Sequence, residues 1–185
     1  MSGIFDIVQQ QLSGGGLQQI AEQAGLDNGT AQKAITAAVP MILGGMAQHA
    51  KQGNAAVIHD EADNHSGRAG ALGDVPNIFT GAGPAGGLLG KVMGDRHVAI
   101  KDGVAKAAGI DKSQAAKVVA VGTAAVLGAI ALKKRQGQLS AQDVSGSLQQ
   151  AQQQAETHAQ TTAPKMGGIL GSVMGQIMNQ EGPRA

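Results

Sequence analysis

Apolar residues recur at intervals of three and four along most of this chain, the spacing of one helix face. Ile4, Phe5, Val8 and Leu12 form a first stripe that ends at Gly14-Gly15-Gly16. Leu17, Ile20, Ala21 and Ala24 form a second, stopped by Gly25. Asp27 or Asn28 then caps a third helix carrying Ala31, Ala34, Ile35, Ala38 and Val39. Pro40 falls inside that run and predicts a kink or a break before Met41-Ile42-Leu43, because proline lacks an amide hydrogen and its ring crowds the preceding turn. Period-two alternation is scarce, and β-branched residues do not cluster between turn signals. The pattern predicts an all-α protein.

The same pattern repeats. Shifting the chain by 84 residues places Ile20 to Ala47 on Val104 to Ala131, and Ala21, Ala24, Gly25, Asp27, Ala31, Lys33, Leu43, Gly44 and Ala47 then meet identical residues. A second echo pairs Gly86-Gly87-Leu88-Leu89-Gly90-Lys91-Val92-Met93-Gly94 with Gly167-Gly168-Ile169-Leu170-Gly171-Ser172-Val173-Met174-Gly175. A fainter copy, Gly3-Ile4-Phe5 through Val8, opens the chain. Two echoes at nearly one spacing predict internal duplication: a multihelical bundle built from two duplicated kinked helical hairpins, each with a short Gly-rich amphipathic helix. The first unit covers residues 1–97, with a mobile loop over about 52–86 that is rich in Gly, Asn, Asp and Ala and lacks periodicity. The second covers 98–185, with a polar, exposed helix over about 140–160 and a short C-terminal helix.

Composition narrows the chemistry. There is no Cys among the 185 residues, which excludes disulfides, thiolate catalysis and Cys-ligated metal sites. The N-terminal MSGIFDIVQQQ has no basic residue and reaches Gln within nine positions, unlike a secretory signal, so a cytoplasmic location is expected. Two Phe and no Trp or Tyr leave a core of Ala, Val, Leu, Ile and Met, in which helices approach closely around few large anchors. The net charge of +1 is unevenly spread: residues 100–135 hold seven basic and two acidic side chains, against five and eight over 1–99.

The segments IAEQAGLDNGTAQKAITAAVPMILGG, GGLLGKVMGDRH and VAKAAGIDKSQAAKVVAVGTAAVLGAIA resemble the YidB-like family, the bacterial domain of unknown function 937, over roughly residues 1–150. The resemblance implies a multihelical fold in a bacterial protein and carries over no catalytic residue. Gly122-Thr123-Ala124 stands where the family pattern has an Ala-Pro pair, so the kink inferred at Pro40 is not expected in the second copy.

Several motifs invite a chemical reading. Ile20-Ala21-x-x-Ala24-Gly25-Leu26 with Thr30-Ala31-x-x-Ala34-Ile35, and Val104-Ala105-x-x-Ala108-Gly109-Ile110 with Ala115-x-x-Val118, have the form of a DNA-binding helix-turn-helix, although any two helices packed across a glycine turn need small residues there. Phosphate neutralisation favours the second copy, where Lys112, Lys117, Lys133, Lys134 and Arg135 are the candidate nucleic-acid contacts. Val118 to Leu132 is an uncharged run of fifteen residues, short of the roughly 20 that cross a bilayer. His59-Asp60-Glu61-x-Asp63-x-His65 has metal-ligand residue types but lies in the loop segment, and solvated linker is the preferred reading. Gly81-x-Gly83-x-x-Gly86 matches a dinucleotide fingerprint by letter only, with Pro84 inside it and no strand before it.

No catalytic constellation, cofactor site or metal site is expected. The leading reading is a non-enzymatic interaction or scaffold protein that forms homo-oligomers or binds a protein partner through its short helices. The candidate residues are Leu89, Val92, Met93, Leu170, Val173 and Met174, which fill either the core or an interface. The alternatives are a nucleic-acid-binding protein using 101–135 and a membrane-surface protein.

Overall fold

The computed structural model describes residues 2–66 and 85–179 and is helical throughout, with no strand among the described residues. The helices are α1 (Ile4–Gln11), α2 (Leu17–Ala24), α3 (Asn28–His49), α4 (Ala55–Ser66), α5 (Ala85–Met93), α6 (Arg96–Ala108), α7 (Lys112–Arg135), α8 (Val144–Thr162) and α9 (Gly167–Asn179).

Glycine and aspartate chemistry sets the two tight turns. Gly25 and Gly109 end α2 and α6 in the left-handed region, at φ 67° and 69°, where a side chain would be strained. Two residues later Asp27 accepts the Thr30 amide at 2.9 Å, and Asp111 accepts the Gln114 amide at 2.8 Å. Gln114 returns the bond to the Asp111 amide, completing a capping box. The Thr30 hydroxyl and amide also hold the Asp27 carboxyl below the usual carboxylate range.

The long helices that follow these caps form the centre of the molecule. Ala37 to Ala47 of α3 are buried on every side, as are Val118 to Leu127 and Ala129 to Ala131 of α7. All faces of these segments are apolar or small, so neither segment can leave a face in water. Glycines allow the close approach: a Cβ at Gly122 would lie 2.6 Å from Ile42 Cδ1, and one at Gly45 would lie 2.7 Å from Ile100 Cδ1 of α6. At Gly103 of α6 a Cβ would meet both Val173 methyls, at 2.7 and 2.8 Å.

The helices after each hairpin cross over. α4 packs mainly against α7, and α8 packs mainly against α3, so the segments 1–97 and 98–185 share one hydrophobic cluster.

The glycines after Leu12 do separate α1 from α2, as the sequence predicts, with Gly15 in the left-handed region at φ 99°. Three expectations need correction. Pro40 does not break α3, which runs unbroken from Asn28 to His49 because burial of the whole segment outweighs the roughly 3 kcal/mol that an interior proline costs. Part of the supposed loop is α4, seated by fully buried Ile58 and Ala62 four residues apart; the remainder of that loop, 67–84, lies outside the described residues. Finally, α8 is not an exposed polar helix. Val144, Leu148, Ala151, Ala155 and Ala159 form a buried stripe, in which alanines supply the apolar positions that the glutamines obscure.

Replacing Leu148 with Ala is therefore expected to destabilise the protein by about 2–5 kcal/mol, the cost of a buried leucine truncation, while Gln153→Ala on the exposed face leaves stability within about 0.5 kcal/mol. Chemical denaturation of the two variants checks this.

Candidate interaction surface on the short helices

The repeated GG-x-LG-x-VMG pattern places apolar side chains at three- and four-residue spacing, so each copy presents one apolar face. In α5, Leu89, Val92 and Met93 are buried, and in α9 so are Leu170, Val173 and Met174. Met93 lies over Gly45, Val173 over Gly103, and Met174 over Gly44. All six candidate interaction residues thus fill the core of their own chain, and the surface left for a partner is the opposite face.

That face carries glycines among polar side chains, Lys91 on α5 and Ser172 and Gln176 on α9. At Gly87 and Gly90 of α5, and at Gly168, Gly171 and Gly175 of α9, an added Cβ would meet nothing within 4 Å among the described residues. Helical glycine costs roughly 0.8–1 kcal/mol relative to alanine. Packing within the chain explains the omission of a side chain at Gly45 and Gly103 but not at these five. Beside the α9 glycines runs a cleft of about 460 Å³, walled by Gln149, Gln153 and Gln160 of α8 and by Gly171, Gly175 and Met178 of α9. Met178 is half exposed, an unusual position for a large apolar side chain in this molecule.

A polar node anchors both short helices at their C-terminal ends. Arg96, buried at the start of α6, donates from Nε to the Ile177 carbonyl in the last turn of α9 at 3.1 Å and from its guanidinium to Gln52 Oε1 at 3.2 Å. A cation suits the negative end of a helix. Burial lowers the pKa of Arg96, and Asp95 opposes the shift. His49, in the last turn of α3, meets the Lys91 carbonyl of α5 through Nε2 at 3.0 Å. A carbonyl only accepts, so Nε2 carries the proton and Nδ1 is bare; Nδ1 is buried with no hydrogen-bond partner among the described residues. Burial, aided by the Arg96 charge, pushes the His49 pKa down. Arg96 and His49 escaped sequence reasoning because their partners are backbone carbonyls 81 and 42 residues away, which no local pattern signals.

The five candidate nucleic-acid contacts are not gathered on one surface. Lys112 and Lys117 lie at the start of α7 and Lys133, Lys134 and Arg135 at its end, about 30 Å away along the helix. Lys112 pairs with Asp102 at 3.0 Å, Lys117 donates to the Gln23 carbonyl at 3.2 Å, and Lys134 reaches Asp63 and His59 of α4. The helix between them is encased and presents no face to a groove. Among the described residues, no group of three His, Asp or Glu is placed to hold a metal ion. The run judged too short for a bilayer belongs to a helix of 24 residues, α7, which by length and composition alone is long and apolar enough to cross one; most of its apolar stretch is buried within the protein.

The chain matches the family described as "Bacterial protein of unknown function (DUF937)" over residues 6–134. It belongs to that family. No curated protein and no solved structure matches it. The DUF937 segment runs from α1 to the end of α7, so it includes α5 and the polar residues His49 and Arg96, while α8, α9 and the cleft between them follow it.

The His49 geometry carries a pH dependence. Its folded-state pKa lies below the ordinary 6.5, so the unfolded chain takes up the proton first as the pH falls. Stability is then full above about pH 6.5 and declines as the pH drops through that value, before the carboxylates titrate. His49→Gln, which keeps a donor for the Lys91 carbonyl, should flatten the decline between about pH 7 and 5 in denaturation series run at stepped pH.

Proposed function

We propose that this protein is a non-enzymatic assembly protein, built from two copies of one helical unit, that self-associates through the outward glycine faces of α5 and α9. The carrying observation is the division of its helical glycines. Those at α3, α6 and α7 crossings are explained by atoms of the same chain, whereas those on the outer faces of the short helices meet open space. A helix of a second copy laid on such a face would approach backbone to backbone, the arrangement that small residues at four-residue spacing permit. Gly171 and Gly175 have that spacing, and the adjoining cleft with Met178 offers apolar area beside them.

The duplication is supported by features that recur at the 84-residue shift. Left-handed Gly25 and Gly53 correspond to left-handed Gly109 and Gly137, and the Asp27 cap corresponds to the Asp111 cap. The crossed packing of α4 on α7 and α8 on α3 is what two equivalent units with exchanged partners produce. Two short helices of one design then give each chain two equivalent docking faces.

Light scattering across a concentration series tests the reading. The wild-type protein is expected to form dimers or larger assemblies, and Gly171→Leu with Gly175→Leu to reduce them to monomer without unfolding. Gly171→Ala alone should stabilise the isolated fold by about 0.5–1 kcal/mol while weakening assembly, since the methyl finds space within the chain but not against a partner backbone. A wild type that stays monomeric at every concentration refutes self-association.

A further inference from the structure

The turn between α8 and α9 faces the beginning of α3 across a second cleft, of about 650 Å³, within the roughly 300–1,000 Å³ common for small-ligand sites. Ala107 of α6, Met166 of the short Pro164–Met166 turn, and Ile169 of α9 give it an apolar lining. Lys33 of α3 and Lys165 of the turn are exposed on its border, and no carboxylate lines it. Lys91, Lys112 and Lys134 are each paired with a carboxylate, whereas these two belong to the lysines that are not. Neither Lys33 nor Lys165 has an ion-pair partner among the described residues. Thr36, also at the cleft, donates its hydroxyl to the Gln32 carbonyl within its own helix.

An apolar trough bordered by two lysines that have no ion-pair partner among the described residues, with no carboxylate in its lining and Asp27 engaged by the Thr30 amide and hydroxyl beside Gly29, is complementary to an aliphatic chain ending in a negative charge. We propose that this cleft binds an anionic amphiphile of the fatty-acid class, its tail against Ala107, Met166 and Ile169 and its carboxylate between Lys33 and Lys165. The inference is independent of self-association, which uses the other side of α9.

The test is titration of the full chain with hexanoate, octanoate and decanoate below their micelle concentrations, followed by amide chemical shifts. Saturable one-to-one binding is expected, with the largest shifts around Thr36, Ala107 and Ile169, tightening up to about fourfold per added methylene. Lys33→Gln with Lys165→Gln, both exposed and harmless to folding, should weaken octanoate binding roughly two- to tenfold. Octanol, which lacks the charge, should bind the wild type more weakly and ignore the lysine changes. The proposal is overturned by shifts centred elsewhere, by absence of saturation, by octanol binding as tightly as octanoate, or by a tail-less acidic peptide binding more tightly than either.

Discussion

The crossing of α3 and α7 is the constraint on which the remaining structure depends. Their central segments have no polar face and cannot be stable in water singly, so every other helix is recruited to cover them. The side chains available are mostly Ala, Val and Gly, which bury little area each. Close approach compensates, because short distances between backbones multiply dispersion contacts that bulky residues would otherwise provide. Gly122 against Ile42, and Gly45 against Ile100, mark where the backbones come nearest. A methyl group at such points has to displace a neighbour that is itself packed.

Covering helices from both halves meet this demand in crossed fashion. Because α4 seats on α7 and α8 on α3, neither half can complete its own core. Cooperative folding of the described helices as one unit follows from that interlock. The polar node at Arg96 and His49 completes it, satisfying carbonyls at the ends of α5 and α9 that would otherwise be left in an apolar setting. The short helices are thus oriented about their axes by packing and located along them by hydrogen bonds.

That fixed orientation decides which face of α5 and α9 is offered outward. The buried Leu, Val and Met positions leave glycines at the surface, and glycine on a solvated helix face is unfavourable by propensity alone. The same orientation of α9 opens two distinct clefts along it, one walled by the glutamines of α8 and one bordered by Lys33 and Lys165. The two differ in character: the first is lined by amides and the Glu156 carboxylate, and the second combines apolar lining with two lysines that have no ion-pair partner among the described residues.

The sequence by itself determined the local elements with strong punctuation. The Gly25 and Gly109 stops, the Asp27 and Asp111 caps, and the helical class all follow from residues within one turn of each other, where backbone sterics and capping operate. The family was also legible, since its segments are contiguous. Tertiary structure decided the rest. Continuity of α3 through Pro40 depended on burial by distant helices, and the amphipathic character of α8 lay in alanines whose apolar role appears only when a partner covers them. The cations of α7, read as one patch from their proximity in sequence, were separated by the length of the helix and drawn to Asp102, Gln23 and Asp63. Periodicity assigns a residue to a face, but which face is buried, and which charges are neutralised, is set by contacts between residues far apart in the chain.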